Sequence, residues 1–250
     1  MTNVTRRSGG RSARQALRSS KLSDDLRPIR PGMEGGTYKP LSETDTIKIH
    51  HAALDALEQI GLADAPPSGV KILTDAGAIL GDDGRIRFPR ALVEDMLAKA
   101  AKSITLYSRD GKNDLDIGGN RVHYGTAGAA VNLVDIDGNN YRECLLQDLH
   151  DAAKITQQLD NIHFFQRPMV CRDIADNFEM DMNTIYGATS GTSKHIGTSF
   201  TEPSFIPGIL ELIYDIAGGE NAFRERPFIS NSNCFVVPPM KFATEACEVM

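Results

Sequence analysis

The sequence predicts an α/β protein of parallel strands joined by helical crossovers, preceded by a small α+β cap. Three observations predict it. First, strand-like apolar runs at Arg121–Thr126, Asn161–Val170, Lys194–Phe200 and Pro227–Val237 alternate with helix-like runs at 145–159, 180–190 and 206–219. A βαβα rhythm of this kind specifies parallel pairing. Second, each strand candidate turns polar at or near its end: Thr126, then Gln166 and Arg167, then Thr198 and Ser199, then Asn231 to Asn233. Such folds place ligands at the C-terminal ends of parallel strands. Third, four units are half of an eight-unit barrel, and the chain ends at Met250 within a helix-like run from Lys241. The expected architecture is therefore about the first four units of a (β/α)8 TIM barrel over 119–250, behind a cap at 41–118 and a disordered basic tail at 1–40.

The tail holds nine Lys/Arg against Asp24, Asp25 and Glu34, a balance of +6; with −6 overall, the remainder carries −12. Its Gly, Ser and Arg content is too poor in apolar residues to build a core, so residues 1 to about 36 are expected to be disordered and dispensable. No aromatic residue interleaves its arginines, which favours a solvated tail over a nucleic-acid arm. An acidic body argues against general nucleic-acid binding.

Ser42 is the expected N-cap of the first helix, with Asp45 three residues on. Ile47, Leu54, Leu57 and Ile60 give that helix an apolar face, and Gly61 ends it. Pro66 and Pro67 break the chain, and Ser68 is expected to cap a short helix through Ala76. Residues 78–88 read as a hairpin turning at Asp83–Gly84. Pro89 opens a third helix, a strand follows at 103–109, and 114–125 reads as a second hairpin. Residues 132–144 form a further hairpin around Asp137–Gly138. Asp135, Asp137 and Asn139 have some calcium-loop spacing, but glycine stands fourth and no glutamate stands twelfth, which favours a plain turn. The run 124–130 lacks the G-x-G-x-x-G spacing of a dinucleotide loop.

A hydrophobic fraction of 41% and a charged fraction of 24% are those of an ordinary globular domain. No apolar run approaches the ~20 residues that cross a bilayer, and no signal-like apolar segment follows the first arginines. Cys144, Cys171, Cys234 and Cys247 are widely spaced, fitting neither a disulfide framework nor a zinc knuckle. Reduced thiols in a cytoplasm are expected, with Cys171 and Cys234 as small buried hydrophobes rather than nucleophiles.

No metal constellation is found. His50 and His51 lie on the first helix, and His123, His163 and His195 lie inside strand candidates, where a hydrogen-bonded core role is the common one. No H-E-x-x-H, G-x-S-x-G or G-K-[ST] motif occurs. The strand ends instead offer amides, hydroxyls, one arginine, and the aromatics Tyr124, Phe164, Phe165, Phe200 and Phe235. Pleat alternation forbids Phe164 and Phe165 from facing the same side. This set suits holding a cation or polar small molecule whose reactivity comes from a cofactor.

Six segments carry a resemblance: 40–61, GRIRFPRALVEDML, RVHYGTAGAAV, LDNIHFFQRPMVCRDI, KHIGTSF and RPFISNSNCFVVPPMKF. From about Pro40 to Met250 the chain resembles the trimethylamine methyltransferase (MttB-like) family, as the N-terminal half of a full-length member. The resemblance implies a barrel about twice as long. It implies methyl transfer from trimethylamine or a quaternary amine such as glycine betaine to the Co(I) centre of a corrinoid (cobalamin) carried by a cognate partner protein. One branch uses pyrrolysine for trimethylamine, at a position beyond Met250 as the motifs align. A non-catalytic half-barrel that only docks a corrinoid protein is the reading from a different class.

That chemistry needs no strong acid or base, because a quaternary ammonium leaves as a neutral amine. The residues expected to hold the substrate for transfer are Gln166, Arg167, Asn231 and Asn233, with Tyr124, Thr126, Thr198, Ser199 and Phe200 binding it. Aromatic faces stabilise such a cation by roughly 0.5–2 kcal/mol each. Arg167 would fork a betaine carboxylate; a structural salt bridge to a helix is its alternative. The alternative for the asparagines is to tie the strand end to the Pro238–Pro239 turn. Neither a bound metal, nucleic acid nor a membrane is expected as a partner. Open strand edges make homo-oligomerisation of this length of chain an expectation.

Overall fold

The structure, a computed structural model, describes residues 29–30 and 33–250. The expected disorder of 1–28 and 31–32 lies outside the described residues. The rest of that segment departs from expectation. Strand β1 (Ile29–Arg30) and strand β2 (Met33–Glu34) both pair with later strands. Composition alone does not register backbone pairing, which recruits even a polar segment.

Helix α1 (Glu43–Asp55) starts as the sequence predicts. The Ser42 hydroxyl donates to Asp45 Oδ2 at 2.7 Å while its oxygen accepts the Asp45 N–H at 3.1 Å. The helix runs on through a π-helical turn, Ala56–Ile60, to Gly61. Only Leu54 of its apolar face is buried; Ile47 and Ile60 stay half-exposed. Helix α2 (Pro67–Asp75) begins two residues earlier than the Ser68 cap implied, because Pro67 takes the first helical position, where its missing N–H costs nothing. Strands β3 (Ile79–Leu80) and β4 (Ile86–Arg87) form the expected hairpin, braced by Arg87 on Asp83. Helix α3 (Arg90–Lys99) follows Pro89.

Strand β5 (Ser103–Leu106) pairs antiparallel with β6 (Asp114–Gly118), and β1 lies parallel on the other edge of β6. The hairpin expected across 114–125 therefore does not form. Both edges of β6 are taken, so β7 (Arg121–Val122) pairs with β2 instead. Strands β8 (Asn132–Val134) and β9 (Tyr141–Glu143) make the expected hairpin. Its acidic residues hold the turn: Asp137 accepts the Asn139 N–H, and Asp135 pairs with Arg142.

Next come helix α4 (Leu146–Gln158), strand β10 (Phe165–Gln166), helix α5 (Asn177–Gly191) and strand β11 (Ile196–Thr198). They are followed by helices α6 (Ile206–Ala217) and α7 (Glu220–Glu225) and strand β12 (Ile229–Asn231). The expected fourth strand is two: β12 ends at Asn231, and β13 (Val236–Val237) turns back on β14 (Lys241–Phe242). The helix-like run from Lys241 is shortened accordingly to α8 (Thr244–Val249).

Strands β10, β11 and β12 are parallel neighbours in chain order. The segment at Gly125 joins them through a parallel bridge to Phe164, and the His163 N–H donates to the Tyr124 carbonyl. All four strand candidates thus lie side by side, each shorter than its apolar run. Phe165, Ile196 and Ile229 stand in register and point into the core. There they meet Leu149 and Ala153 of α4, Ile185 and Ala188 of α5, and Ile209 and Ile213 of α6. The result is a mixed α/β fold with one face of the parallel sheet covered by helices. Among the described residues the sheet does not close into a barrel. No helix among them is long and apolar enough to cross a membrane.

Candidate functional site

Pleat alternation decides which strand-end groups face away from the helices. Since Phe165, Ile196 and Ile229 point into the core, their successors Gln166, Gly197 and Ser230 face the opposite side. Two glycines shape that face. A methyl group at Gly125 would overlap the Phe164 ring, and one at Gly197 would overlap Gln166 Oε1. Phe164 and Gln166 can therefore lean flat across the neighbouring strands.

Arg167 stands just past the C-terminal end of β10. Its backbone N–H donates to the Gly197 carbonyl at 2.8 Å, and its Nη2 donates to Ser199 Oγ at 3.0 Å. The side chain is half-buried, yet it forms no ion pair among the described residues. The alternative of a structural salt bridge is thus not what the structure shows. Thr126 Oγ1 donates to the Gln166 carbonyl, tying the first strand end to the second. Gln166, Arg167, Ser199 and Thr126 are thus neighbours at the strand ends.

The other expected groups are placed differently. Thr198 is buried in register with Asn231, on the core side of its strand. Phe200 packs against the core cluster. Tyr124 is 52% exposed beside the first strand. Asn231 and Asn233 share a separate cavity of about 430 Å³ with Phe235, Val249 and Met250. Asn233 Nδ2 donates to the Ala246 carbonyl at 3.1 Å, so it ties the strand end to α8 rather than to the Pro238–Pro239 turn.

The histidines are structural hydrogen-bonders. His163 Nδ1 accepts the Tyr124 N–H, and His123 lies edge-on to His163 at 5.3 Å. His195 links cap to sheet: its Nδ1 faces the Tyr107 carbonyl at 2.9 Å and its Nε2 faces Ser230 Oγ at 3.0 Å. A carbonyl can only accept, so Nδ1 carries the proton and Nε2 accepts from the Ser230 hydroxyl. Nothing in the sequence marked this pair, since the register that joins positions 195 and 230 is a tertiary fact. Burial pushes the His195 pKa below its ordinary 6.5, against smaller opposing effects of the Tyr107 carbonyl and Asp114.

The sign of the resulting pH dependence is fixed. The unfolded chain binds a proton at His195 more readily than the folded one, so this contribution is complete above the unfolded value and declines as pH falls below it. Melting temperature is expected to drop as pH falls below about 6.5, and His195→Gln is expected to flatten that slope. An unchanged slope in the variant would assign the pH dependence elsewhere.

Cys144 and Cys171 are buried, whereas Cys234, expected to be buried, is exposed; burial pushes the Cys171 thiol up to about 11. A thiol held protonated at neutral pH is a packing group, not a nucleophile. No cluster of three or more His, Cys, Asp or Glu among the described residues is placed to hold a metal ion.

A family model described as trimethylamine methyltransferase (MTTB) matches residues 7–250. Trimethylamine methyltransferase MttB of Desulfitobacterium hafniense (strain DSM 10664 / DCB-2) is 27% identical over 219 residues, covering 87% of this chain and 44% of that protein. Trimethylamine methyltransferase MttB1 of Methanosarcina mazei is 26% identical over 223 residues, covering 86% and 44%. Glycine betaine methyltransferase of Desulfitobacterium hafniense (strain Y51) is 24% identical over 193 residues, covering 77% and 40%. The chain spans less than half the length of these relatives.

Proposed function

We propose, because the chain belongs to the trimethylamine methyltransferase (MTTB) family, that it binds a methylated amine at the C-terminal ends of its parallel strands for transfer of one methyl group. The four units are, in this reading, the first half of a (β/α)8 barrel. Their parallel pairing in chain order supports that, as does the share of the relatives that the chain covers.

One observation carries the choice of substrate. Arg167 is a half-buried guanidinium at a strand end with a single side-chain hydrogen bond and no carboxylate partner among the described residues. A partly desolvated guanidinium calls for an anion, and its planar fork matches a carboxylate. A betaine, with a quaternary ammonium and a carboxylate, satisfies it; trimethylamine has no group that does. Glycine betaine is the substrate class this site favours.

A corrinoid carried by a partner protein would supply the nucleophile, cobalt in its Co(I) state, that accepts the methyl group. The residues fit such a group in their chemistry. When the C–N bond breaks, the amine departs with the electron pair as a neutral molecule, so no strong acid is required. The face supplies none: Gln166, Ser199 and Thr126 are uncharged. Arg167 would hold the carboxylate end, and the Gln166 amide, laid over Gly197, would set the orientation of the ammonium end against the aromatic face of Phe164.

The test is methyl transfer from glycine betaine to free cob(I)alamin, followed by the loss of Co(I) absorbance. Arg167→Ala is expected to lower transfer at least ~10-fold, about 1.4 kcal/mol of transition-state stabilisation, at unchanged melting temperature. Wild-type transfer by the variant, or loss only in step with lost stability, would remove Arg167 from the site.

A further inference from the structure

Asp181 stands in the second turn of α5 and is only 2% exposed, on the helical face shared with the buried Thr184 and Ile185. Its Oδ2 accepts two hydrogen bonds, both 2.8 Å long and both from Thr201, one from the backbone N–H and one from the hydroxyl. Its Oδ1 is buried with no hydrogen-bond partner among the described residues. Burying a carboxylate is expensive when half of it goes unpaired. A neutral acceptor could staple a loop to a helix without that cost, so a carboxylate here needs a further reason.

The reason lies two residues back along the chain. Thr201 follows Ser199 and Phe200 in the connection from β11 to α6, and Ser199 is the one side-chain partner of Arg167. Phe200, between them, is packed against the core. The connection is thus pinned at Phe200 by packing and at Thr201 by two charge-assisted bonds. Ser199 has little freedom left, and its hydroxyl meets Arg167 Nη2.

We infer that Asp181 is a positioning residue for the ligand site: by clamping Thr201 it fixes Ser199, and through Ser199 it fixes the guanidinium of Arg167. This rests on Arg167 being the anion contact proposed above. Asp181 touches neither ligand nor reacting atoms. Its effect reaches the site only through the Thr201–Ser199 segment.

The test uses Thr201→Val, which removes the hydroxyl donor and keeps the size; Thr201→Ser, which restores the donor; and Asp181→Asn, which removes the charge. Two readouts are taken on the whole chain beside its melting temperature: the Nε–H resonance of Arg167 by NMR, assigned with Arg167→Lys, and the affinity for glycine betaine. Thr201→Val and Asp181→Asn are expected to shift or broaden the Arg167 resonance and to weaken betaine ~10-fold, the size of effect one lost hydrogen bond to a charged group produces. Thr201→Ser is expected to match wild type in both. The inference is overturned if the Arg167 resonance is unchanged in Thr201→Val and Asp181→Asn, or if Thr201→Ser behaves like Thr201→Val. It is equally overturned if affinity falls only as stability falls. Should wild type bind no betaine, the proposed function fails, while the Arg167 resonance still decides whether Asp181 positions the arginine.

Discussion

Lys194→Ala is expected to cost about 3–5 kcal/mol of folding stability, the largest effect of any single side chain outside the apolar core. Lys194 is 3% exposed. Its ammonium donates to the carbonyls of Thr156, Leu159 and Ile162 at 2.7, 2.8 and 2.6 Å. These belong to the last turn of α4 and the segment leading into β10, where carbonyls have room for a further donor and the helix dipole favours a cation. Removing the ammonium would take a charged donor from all three carbonyls; those of Thr156 and Leu159 keep the N–H groups of Leu159 and Ile162, and the loss of three charge-assisted bonds costs roughly 1–3 kcal/mol each at most. Lys194→Met keeps the aliphatic stem and should be nearly as damaging, which separates the donor from the packing. Urea unfolding measures it; a loss under ~1 kcal/mol in both variants would show that water replaces the ammonium freely.

Asp114→Ala is expected to cost about 3 kcal/mol or more. Asp114, 5% exposed, accepts both the backbone N–H and the hydroxyl of the fully buried Ser108, each at 2.8 Å. Both of its oxygens also meet Arg226 Nη2, at 2.9 and 2.7 Å, and the guanidinium lies 4.7 Å above the Tyr107 ring. The truncation strands the buried Ser108 N–H and leaves its hydroxyl only the longer contact to Asp110 Oδ1, at 3.3 Å. Arg226 is 41% exposed at its side chain, so Arg226→Ala removes a partly solvated pair and should cost only about 1 kcal/mol. A double-mutant cycle separates the two. If Arg226→Ala proves the more damaging, the ion pair rather than the Ser108 donors anchors β6 to the sheet.

The parts of this fold legible in the sequence are those written in apolar periodicity. The four parallel units follow from runs such as those around Phe165, Ile196 and Ile229, which lie in register in the core. Caps with side-chain chemistry, such as Ser42 on α1, were also readable. Pairing partners were not. Nothing in 114–125 says that β6 has both edges filled, and nothing in Ile29–Arg30 says that it joins β6.

The site divides along the same line. Polar strand ends mark where a ligand sits, but adjacent residues point to opposite faces, and only register says which. Thr198 and Ser199 illustrate it: the first is buried on the core side, the second meets Arg167. Asn231 and Asn233 share a side but open into a different cavity, beside α8. Asp181 was invisible because a lone aspartate in a helix carries no spacing signal; its meaning comes from Thr201, 20 residues away in sequence.

The most direct test of the central claim, an anion-reading methylated-amine site at Arg167, is a calorimetric titration of wild type and Arg167→Ala with glycine betaine and with trimethylamine. The account predicts that wild type binds betaine more tightly than trimethylamine. It predicts that Arg167→Ala weakens betaine at least ~10-fold while trimethylamine affinity and melting temperature stay as they were. Equal binding of the two ligands by wild type, or betaine affinity untouched by Arg167→Ala, would contradict it.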